Sequence, residues 1–362
     1  MSAKESEMKI MLVTQLPPPK GGIAMWSEKY SEYCKKQGIN LHIVNNAMIG
    51  ARGNDYHARM NLAWELRRAY RVISSIQDIK KTDRPDVVHL NSACAPLGII
   101  RDYLYTLVIG RKIPIMFHCR CVAEDQLKGK KLSVFFFKLV AKRVDRVLVL
   151  NDKTAEFVKR LTGKTSVKVP NFIDASYLLN GKKVISPTVS QVVFTGHVQK
   201  EKGIDEIISA ASAFPQIRFV IVGQIKDDYR KCELPANVEM LGEQDAERVR
   251  AELDKADVFL FPSYTEGFSN SLAEAMARGL PTVVSDVGAN RDMVEDRGGI
   301  VIPAGDKDAV VEALKQIEAP KLREEMSLWN IAKVKSNYLI ENVMQTLMDI
   351  YSDAVRERKA KK

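Results

Sequence analysis

Short apolar runs recur along this chain, and most are followed by a longer segment of helical period. In the first half they are Lys9–Thr14, Ile39–Val44, Asp86–Leu90, Ile113–His118 and Arg146–Leu150. In the second they are Gln191–Thr195, Arg218–Gly223, Val238–Gly242, Val258–Phe261 and Thr282–Val287. Such brief, nearly all-apolar runs predict strands covered on both faces, as parallel sheets are. Helices are predicted over Ile23–Gln37, Ala58–Lys81, Ala95–Ile109, Lys128–Arg143, Asp306–Ala319, Met326–Lys335 and Glu341–Arg358. Strands alternating with helices give an α/β, doubly wound architecture, and the length fits two domains. The stretch Tyr177–Pro187, with Asn180-Gly181, reads as the linker, so the domains are expected at 1–180 and 188–340 with 341–362 as a last segment.

One stretch, Val258–Ala304, is punctuated more sharply than the rest. Pro262 ends a strand because it has no N–H for the ladder. Gly267 permits a tight turn, Ser269, Asn270 and Ser271 are all helix caps, and Gly279 with Pro281 stops a helix predicted over Ser271–Arg278. A strand running through a glycine turn into a helix start gathers free N–H groups and the positive dipole end, a place for an anion. Glu266 and Glu274 frame it with E-x7-E spacing. Local chemistry alone gives each an ordinary reading: Ser271-Leu-Ala-Glu274 fits a capping box, and Glu266 a solvated turn.

Charge adds an asymmetry. Residues 1–180 hold 30 Lys and Arg against 16 Asp and Glu, and the remainder 25 against 29, which together give the net +10. A basic first half points to an anionic partner. Five scattered cysteines suit a reducing compartment, and Cys119-Arg-Cys121 lacks a second pair that would complete a metal site. No window is apolar enough to span a membrane, and the charged N-terminus is unlike a signal peptide. The expected location is therefore the cytoplasm, or peripherally the inner face of the plasma membrane. The Lys128–Arg143 segment combines lysines with Phe135–Phe137. That reads equally as a core helix with a solvated basic face or as a membrane-surface helix. Nucleic acid suits the charge, but no recognition module for it is present. The first βαβ unit lacks G-x-G-x-x-G, which argues against a dinucleotide oxidoreductase.

The segment EGFSNSLAEAMARGLPTVVSDVG closely resembles the signature of the retaining family 4 glycosyltransferases, whose fold is GT-B. Gly196–Gly203 resembles that family's "GR...EKG" loop, with His197 where arginine is usual, and Val167–Asp174 resembles "PNGID" with Phe172 in place of the glycine. The resemblance implies two Rossmann-like domains facing a central cleft, with the last helix crossing back to the first domain. It implies transfer of a sugar from a nucleotide diphosphate, UDP favoured over GDP, to a hydroxyl. The expected acceptor is lipid-linked, polyprenyl-type, or another glycan, in cell-surface polysaccharide synthesis. A small soluble acceptor, or a GT-B sugar-nucleotide epimerase, is the alternative. By the same resemblance Glu266, His118 and Lys202 are catalytic. Gly22, His197, Lys202, Glu266, Gly267, Phe268, Ser269, Asn270 and Glu274 hold the donor, Glu266 meeting sugar hydroxyls and Glu274 the ribose. Lysine and histidine cover the phosphates in this picture, so neither a metal nor a cofactor is expected.

Overall fold

The structure is a computed structural model that describes residues 8–18, 21–48 and 61–360. Of the helix predicted over Ala58–Lys81, the first three residues, Arg59 among them, therefore lie outside the described residues.

The chain divides into two compact units, 1–170 with 343–362, and 171–342. The first holds strands β1 (Lys9–Thr14), β2 (Asn40–Asn45), β3 (Val87–Ser92), β4 (Ile115–Cys119), β5 (Arg146–Val149) and β6 (Val167–Lys168). They pair in the order β2-β1-β3-β4-β5-β6, every pair parallel. Its helices are α1 (Gly22–Lys36), α2 (Leu62–Thr82), α3 (Pro96–Ile109), α4 (Ala123–Leu127), α5 (Lys131–Arg143) and α6 (Asp152–Thr162). β3 and β4 are buried at every residue, the condition the apolar runs predicted. β2 is an edge strand and only Val44 in it is fully buried, so its alternation is weak. Phe117, Phe137 and Phe157 anchor the core, their rings 6.0 and 5.4 Å apart along the series.

The aromatic cluster of the basic helix splits. Phe137 enters the core, Phe136 is half-buried, and Phe135 remains 54% exposed. Lys128 and Lys130 precede the helix rather than lying on it.

The second unit holds β7 (Gln191–Thr195), α7 (Ile204–Ala213), β8 (Arg218–Val222), β9 (Val238–Gly242), α8 (Ala246–Lys255), β10 (Val258–Phe261), α9 (Asn270–Ala277), β11 (Thr282–Ser285), α10 (Asn290–Val294), β12 (Gly299–Ile302), α11 (Lys307–Gln316) and α12 (Pro320–Asn337). Its sheet runs β12-β11-β10-β7-β8-β9, again all parallel. Chain order therefore reverses between β7 and β10, the place where open α/β sheets part their connecting loops and bind ligands. Phe194, Phe261 and Phe259 stack beneath that point at 5.7 and 5.6 Å.

The stretch read as a linker is held to the second unit. Leu179 N–H donates to Ala277 O at 2.9 Å, and Lys183 Nζ donates to Asp254 O at 3.0 Å. The last helix, α13 (Ile340–Ala360), belongs to the first unit from Val343 onward, and Tyr351 is buried there.

Candidate active site

The two loops that leave the β7/β10 switch point carry most of the residues singled out in the second unit. After β7 the chain turns through Gly196, His197 and a short 3-10 turn at Lys200–Lys202, then enters α7 at Gly203. Gly203 is left-handed, φ +75°, and a Cβ there would sit 2.2 Å from Pro262 O, so only glycine allows the approach. Tyr264 N–H also donates to Glu201 O at 2.9 Å. The two loops are thus stitched together, and the stitching fixes the side chains between them.

Lys202 and Glu266 meet as a result: Nζ donates to Oε1 at 2.5 Å, with the carboxylate side chain 9% exposed and the lysine 21%. The sequence singled out both but gave no reason to pair them. Gly288, φ +56°, lies against Glu266 from the other side, its would-be Cβ 2.1 Å from Glu266 O. Glu266 is therefore a fixed carboxylate on a clamped backbone, unlike a solvated turn residue.

The helix after that turn starts one residue earlier than expected. Ser269 is its cap, accepting from Leu272 N–H at 3.1 Å, and α9 begins at Asn270. The capping box between Ser271 and Glu274 is not the one formed, because Glu274 lies two positions beyond the amide that the cap engages. Asn270 Oδ1 accepts from Asn171 Nδ2 at 3.0 Å, which ties the Asn171–Asp174 segment to this helix start. Phe268 is buried edge-on against Tyr338 at 5.3 Å, and Gly267 occupies the bend before it. Glu274 is half-buried, near enough to Tyr177 to push that phenol's pKa upward, after the larger effect of burial. Phe172, where the resembled motif has glycine, is 2% exposed and fills the core.

His197 is exposed on the first loop. Partial burial of the ring, then the cations Lys226 and Lys202, lower its pKa, with Glu243 opposing them. Lys226 was not picked out from the sequence. It sits on the loop after β8, and only the parallel register of β7 and β8 places that loop beside His197.

The remaining predicted residues lie in the first unit. Gly22 opens α1, its φ is not left-handed, and a Cβ on it would meet nothing within 4 Å, so the fold itself does not demand glycine there. His118, near the end of β4, is fully buried. Its Nδ1 is 3.2 Å from His89 Nε2 and 3.3 Å from Arg120 Nη1. His89 Nδ1 meets the Tyr351 hydroxyl, and Arg120 lies over the Trp26 ring at 4.4 Å. Burial first, then Arg120, holds both histidines well below the usual imidazole range, His89 to about 3. This interior cluster around His118 had no signal in the sequence beyond the strand-end position of His118 itself. Cys119 and Cys121 lie close enough to Cys94 to perturb its thiol, yet among the described residues no group of three or more His, Cys, Asp or Glu is arranged to hold a metal ion.

Comparison with known proteins agrees with this layout. Residues 20–177 match the profile described as Glycosyltransferase Family 4, and residues 179–328 match Glycosyl transferases group 1. An Escherichia coli protein named UDP-Gal:alpha-D-GlcNAc-diphosphoundecaprenol alpha-1,3-galactosyltransferase is 26% identical, over 98% of this chain and 99% of its own. The alpha-galactosylglucosyldiacylglycerol synthase of Streptococcus pneumoniae is also 26% identical, over 67% of this chain and 71% of that protein. Among solved structures, Alr3699/HepE of Anabaena in complex with UDP and glucose superposes with TM-score 0.71 at 16% identity, covering 96% of this chain and 100% of the other. Sucrose-phosphate synthase from Thermosynechococcus elongatus does so with TM-score 0.76 at 16% identity, over 96% and 99%. With both halves matched and both sheets of the expected kind, the chain belongs to family 4 of the glycosyltransferases, enzymes of the GT-B fold.

Proposed function

We propose that the protein moves a sugar from a nucleoside diphosphate sugar, UDP in preference to GDP, to a hydroxyl of a lipid-linked or glycan acceptor, with retention at the anomeric carbon. The observation that carries this reading is the Lys202–Glu266 pair, locked between two loops at the switch point and one turn ahead of the α9 N-terminus. Bond cleavage leaves negative charge on the departing diphosphate. Fixed cations and N–H groups facing that charge stabilise the transition state without reorganising. Lys202, His197 and the amides around Phe268–Asn270 supply them, with Lys226 beside His197. Glu266 orients sugar hydroxyls while holding Lys202, and Glu274 takes the ribose. Gly22, with free space where a side chain would be, leaves room for ligand. His118 contributes as a neutral hydrogen-bonding group, since its surroundings disfavour the imidazolium. UDP is favoured because a relative and a structural neighbour carry it in their names. The reaction needs no cofactor or metal in this reading. The test is nucleotide release from UDP-sugars with and without a short-chain lipid-linked sugar acceptor. Release coupled to an extended acceptor supports the proposal; release with no acceptor-linked product contradicts it.

His197 adds a pH signature. Its lowered pKa keeps the imidazole neutral in the free protein near neutrality, and a bound diphosphate favours the protonated form. Binding then takes up a proton, so donor affinity is expected to rise as pH falls from about 8 to about 6. His197→Ala should bind more weakly and lose that slope. Calorimetric UDP affinities that are the same for both proteins across the range would remove His197 from the donor site.

The basic first half is proposed to meet an anionic membrane surface. No helix among the described residues is long and apolar enough to cross a membrane. However, α2, α3 and α5, packed side by side, leave Leu62, Leu66, Tyr70, Leu104, Leu132 and Phe135 exposed. Exposed apolar side chains bordered by lysines fit lipid headgroups. Lysines near an anionic surface contribute about 1 kcal/mol each, so changing Lys128, Lys130 and Lys131 together to Ala should weaken vesicle binding on the order of a hundredfold. Sedimentation with phosphatidylcholine vesicles, with and without phosphatidylglycerol, measures this. Equal binding by the triple variant ends the membrane reading.

A further inference from the structure

The first unit has a switch point of its own, between β1 and β3, and a cleft opens at it. Gln15 follows β1, Asn46 follows β2, Asn91–Ala95 lie at the end of β3, and α2 and α3 contribute Arg68, Arg101 and Asp102. The cleft measures about 70 Å³, and since one water needs roughly 10–15 Å³ on this measure, it holds several waters or one small polar group.

What distinguishes the cleft is unfilled hydrogen-bonding capacity on buried side chains. Arg68 is 2% exposed; its Nε donates to Asn46 O at 2.6 Å and its Nη1 to Glu65 Oε2 at 3.4 Å, but among the described residues its Nη2 has no partner. Arg101 Nη1 donates to the same Glu65 oxygen at 3.1 Å, and its Nε has none. Asn91 Nδ2 donates to Thr14 Oγ1 at 3.1 Å, while Asn91 Oδ1 and Asn46 Oδ1 accept nothing. Buried polar atoms are almost always partnered, so four unpartnered ones around one cleft call for a ligand.

The chemistry of these atoms describes that ligand. Two guanidiniums share one carboxylate, Glu65. Asp102, the other acid in the lining, is engaged by Ser92 Oγ at 2.5 Å, and burial raises its pKa to about 6. Arg68 feels Arg101, which adds to the effect of burial in lowering its pKa to about 10. An anion relieves that repulsion, and guanidinium N–H groups match phosphate oxygens. The amide oxygens of Asn46 and Asn91 instead need donors, such as sugar hydroxyls.

We propose that this cleft takes the phosphate of a sugar phosphate onto Arg68 and Arg101, with the nearest hydroxyls on Asn46 and Asn91 and the rest of the sugar outside it, as the charged end of the acceptor. The proposal rests on the transferase reading and adds to it the place and charge of the acceptor. On α2 and α3 the exposed Leu62, Leu66, Leu97 and Leu104 accompany the two arginines, so a lipid on the phosphate has apolar surface within the same helices.

Calorimetry on the full chain, with UDP saturating so that the donor site is filled, tests this with α-D-glucose 1-phosphate, inorganic phosphate and methyl α-D-glucoside. Glucose 1-phosphate should bind more tightly than either fragment. Arg101→Gln and Asn91→Ala should each weaken it about tenfold or more, the usual scale for a lost bond to a charged group, without changing UDP affinity. Unchanged UDP affinity also shows that each variant is folded. A prenyl diester of the same sugar phosphate identifies a lipid-linked source if it binds more tightly than glucose 1-phosphate, and a soluble one if it binds equally. The proposal is overturned if methyl glucoside matches glucose 1-phosphate, or if both variants bind it as the unaltered protein does. Loss of UDP binding with glucose 1-phosphate binding intact would count against the donor site alone.

Discussion

Lys202→Ala is expected to lower kcat for sugar transfer by on the order of 10²–10³, the usual effect of removing one preorganised donor to a developing anion. The expectation follows from how firmly the lysine is placed. The 3-10 turn at Lys200–Lys202 ends in left-handed Gly203, which touches the Pro262 carbonyl, and the backbone bond from Tyr264 to Glu201 fixes the neighbouring loop. Nζ also lies 5.7 Å from the Phe261 ring. The side chain is therefore ordered before any donor arrives. Glu266→Gln should separate the roles of the pair. It removes the charge that competes with diphosphate for Lys202, so UDP affinity should hold or rise, while kcat falls because the sugar loses its carboxylate partner. Steady-state rates of nucleotide release, with UDP affinities on the same samples, distinguish this from simple misfolding. A Glu266→Gln enzyme with unaltered kcat would leave that carboxylate as a tether and nothing more.

A second large effect concerns stability in acid. His89 and His118 are neutral in the fold and stay so well below the ordinary imidazole pKa, His89 down to about 3. In the unfolded chain both take up a proton below about 6.5. The unfolded state then binds more protons than the native one, so stability is full above pH 6.5 and falls as pH drops toward 3. Each such histidine adds a slope of roughly 1.4 kcal/mol per pH unit within that window. His89→Phe removes one of the two and should flatten the profile by about that amount, while losing some stability at neutral pH because the Tyr351 hydroxyl loses its partner. Urea unfolding followed at pH 7.5 and 5 measures the difference. Equal losses of stability for variant and parent between those two values would show that His89 is not held neutral.

Much of the fold was legible because the apolar runs are short and uninterrupted. β7, β9 and β10 fall at the residues read from the pattern, since Pro262 and Gly242 punctuate β10 and β9, and β7 and β10 are buried at every residue. α6 was not read, although Asn151 caps it and left-handed Gly163 ends it. Its polar residues hide a stripe of Phe157, Val158 and Leu161 that belongs to the core. The start of α9 shows a different limit. Ser269, Asn270 and Ser271 are equally good caps locally, and burial of Phe268 on Tyr338, far along the chain, accompanies the choice of Ser269. The contacts of the stretch read as a linker were hidden for a similar reason, because Lys183 finds backbone carbonyls of Leu253 and Asp254 that no local pattern reveals.

At the site, the resemblance to a family marked Lys202 and Glu266, but spacing within one chain does not show that two loops converge. Their pairing depends on β10 lying beside β7. The same holds for Lys226, brought to His197 by β8, and for the four unfilled atoms around the cleft of Arg68, which come from four separate segments.

The most direct measurement is a crystal structure of the protein soaked with UDP. Diphosphate oxygens are expected against Lys202 and the amides at the start of α9, with the ribose at Glu274. UDP bound elsewhere, with Lys202 still closed on Glu266 and no phosphate beside them, would contradict the account.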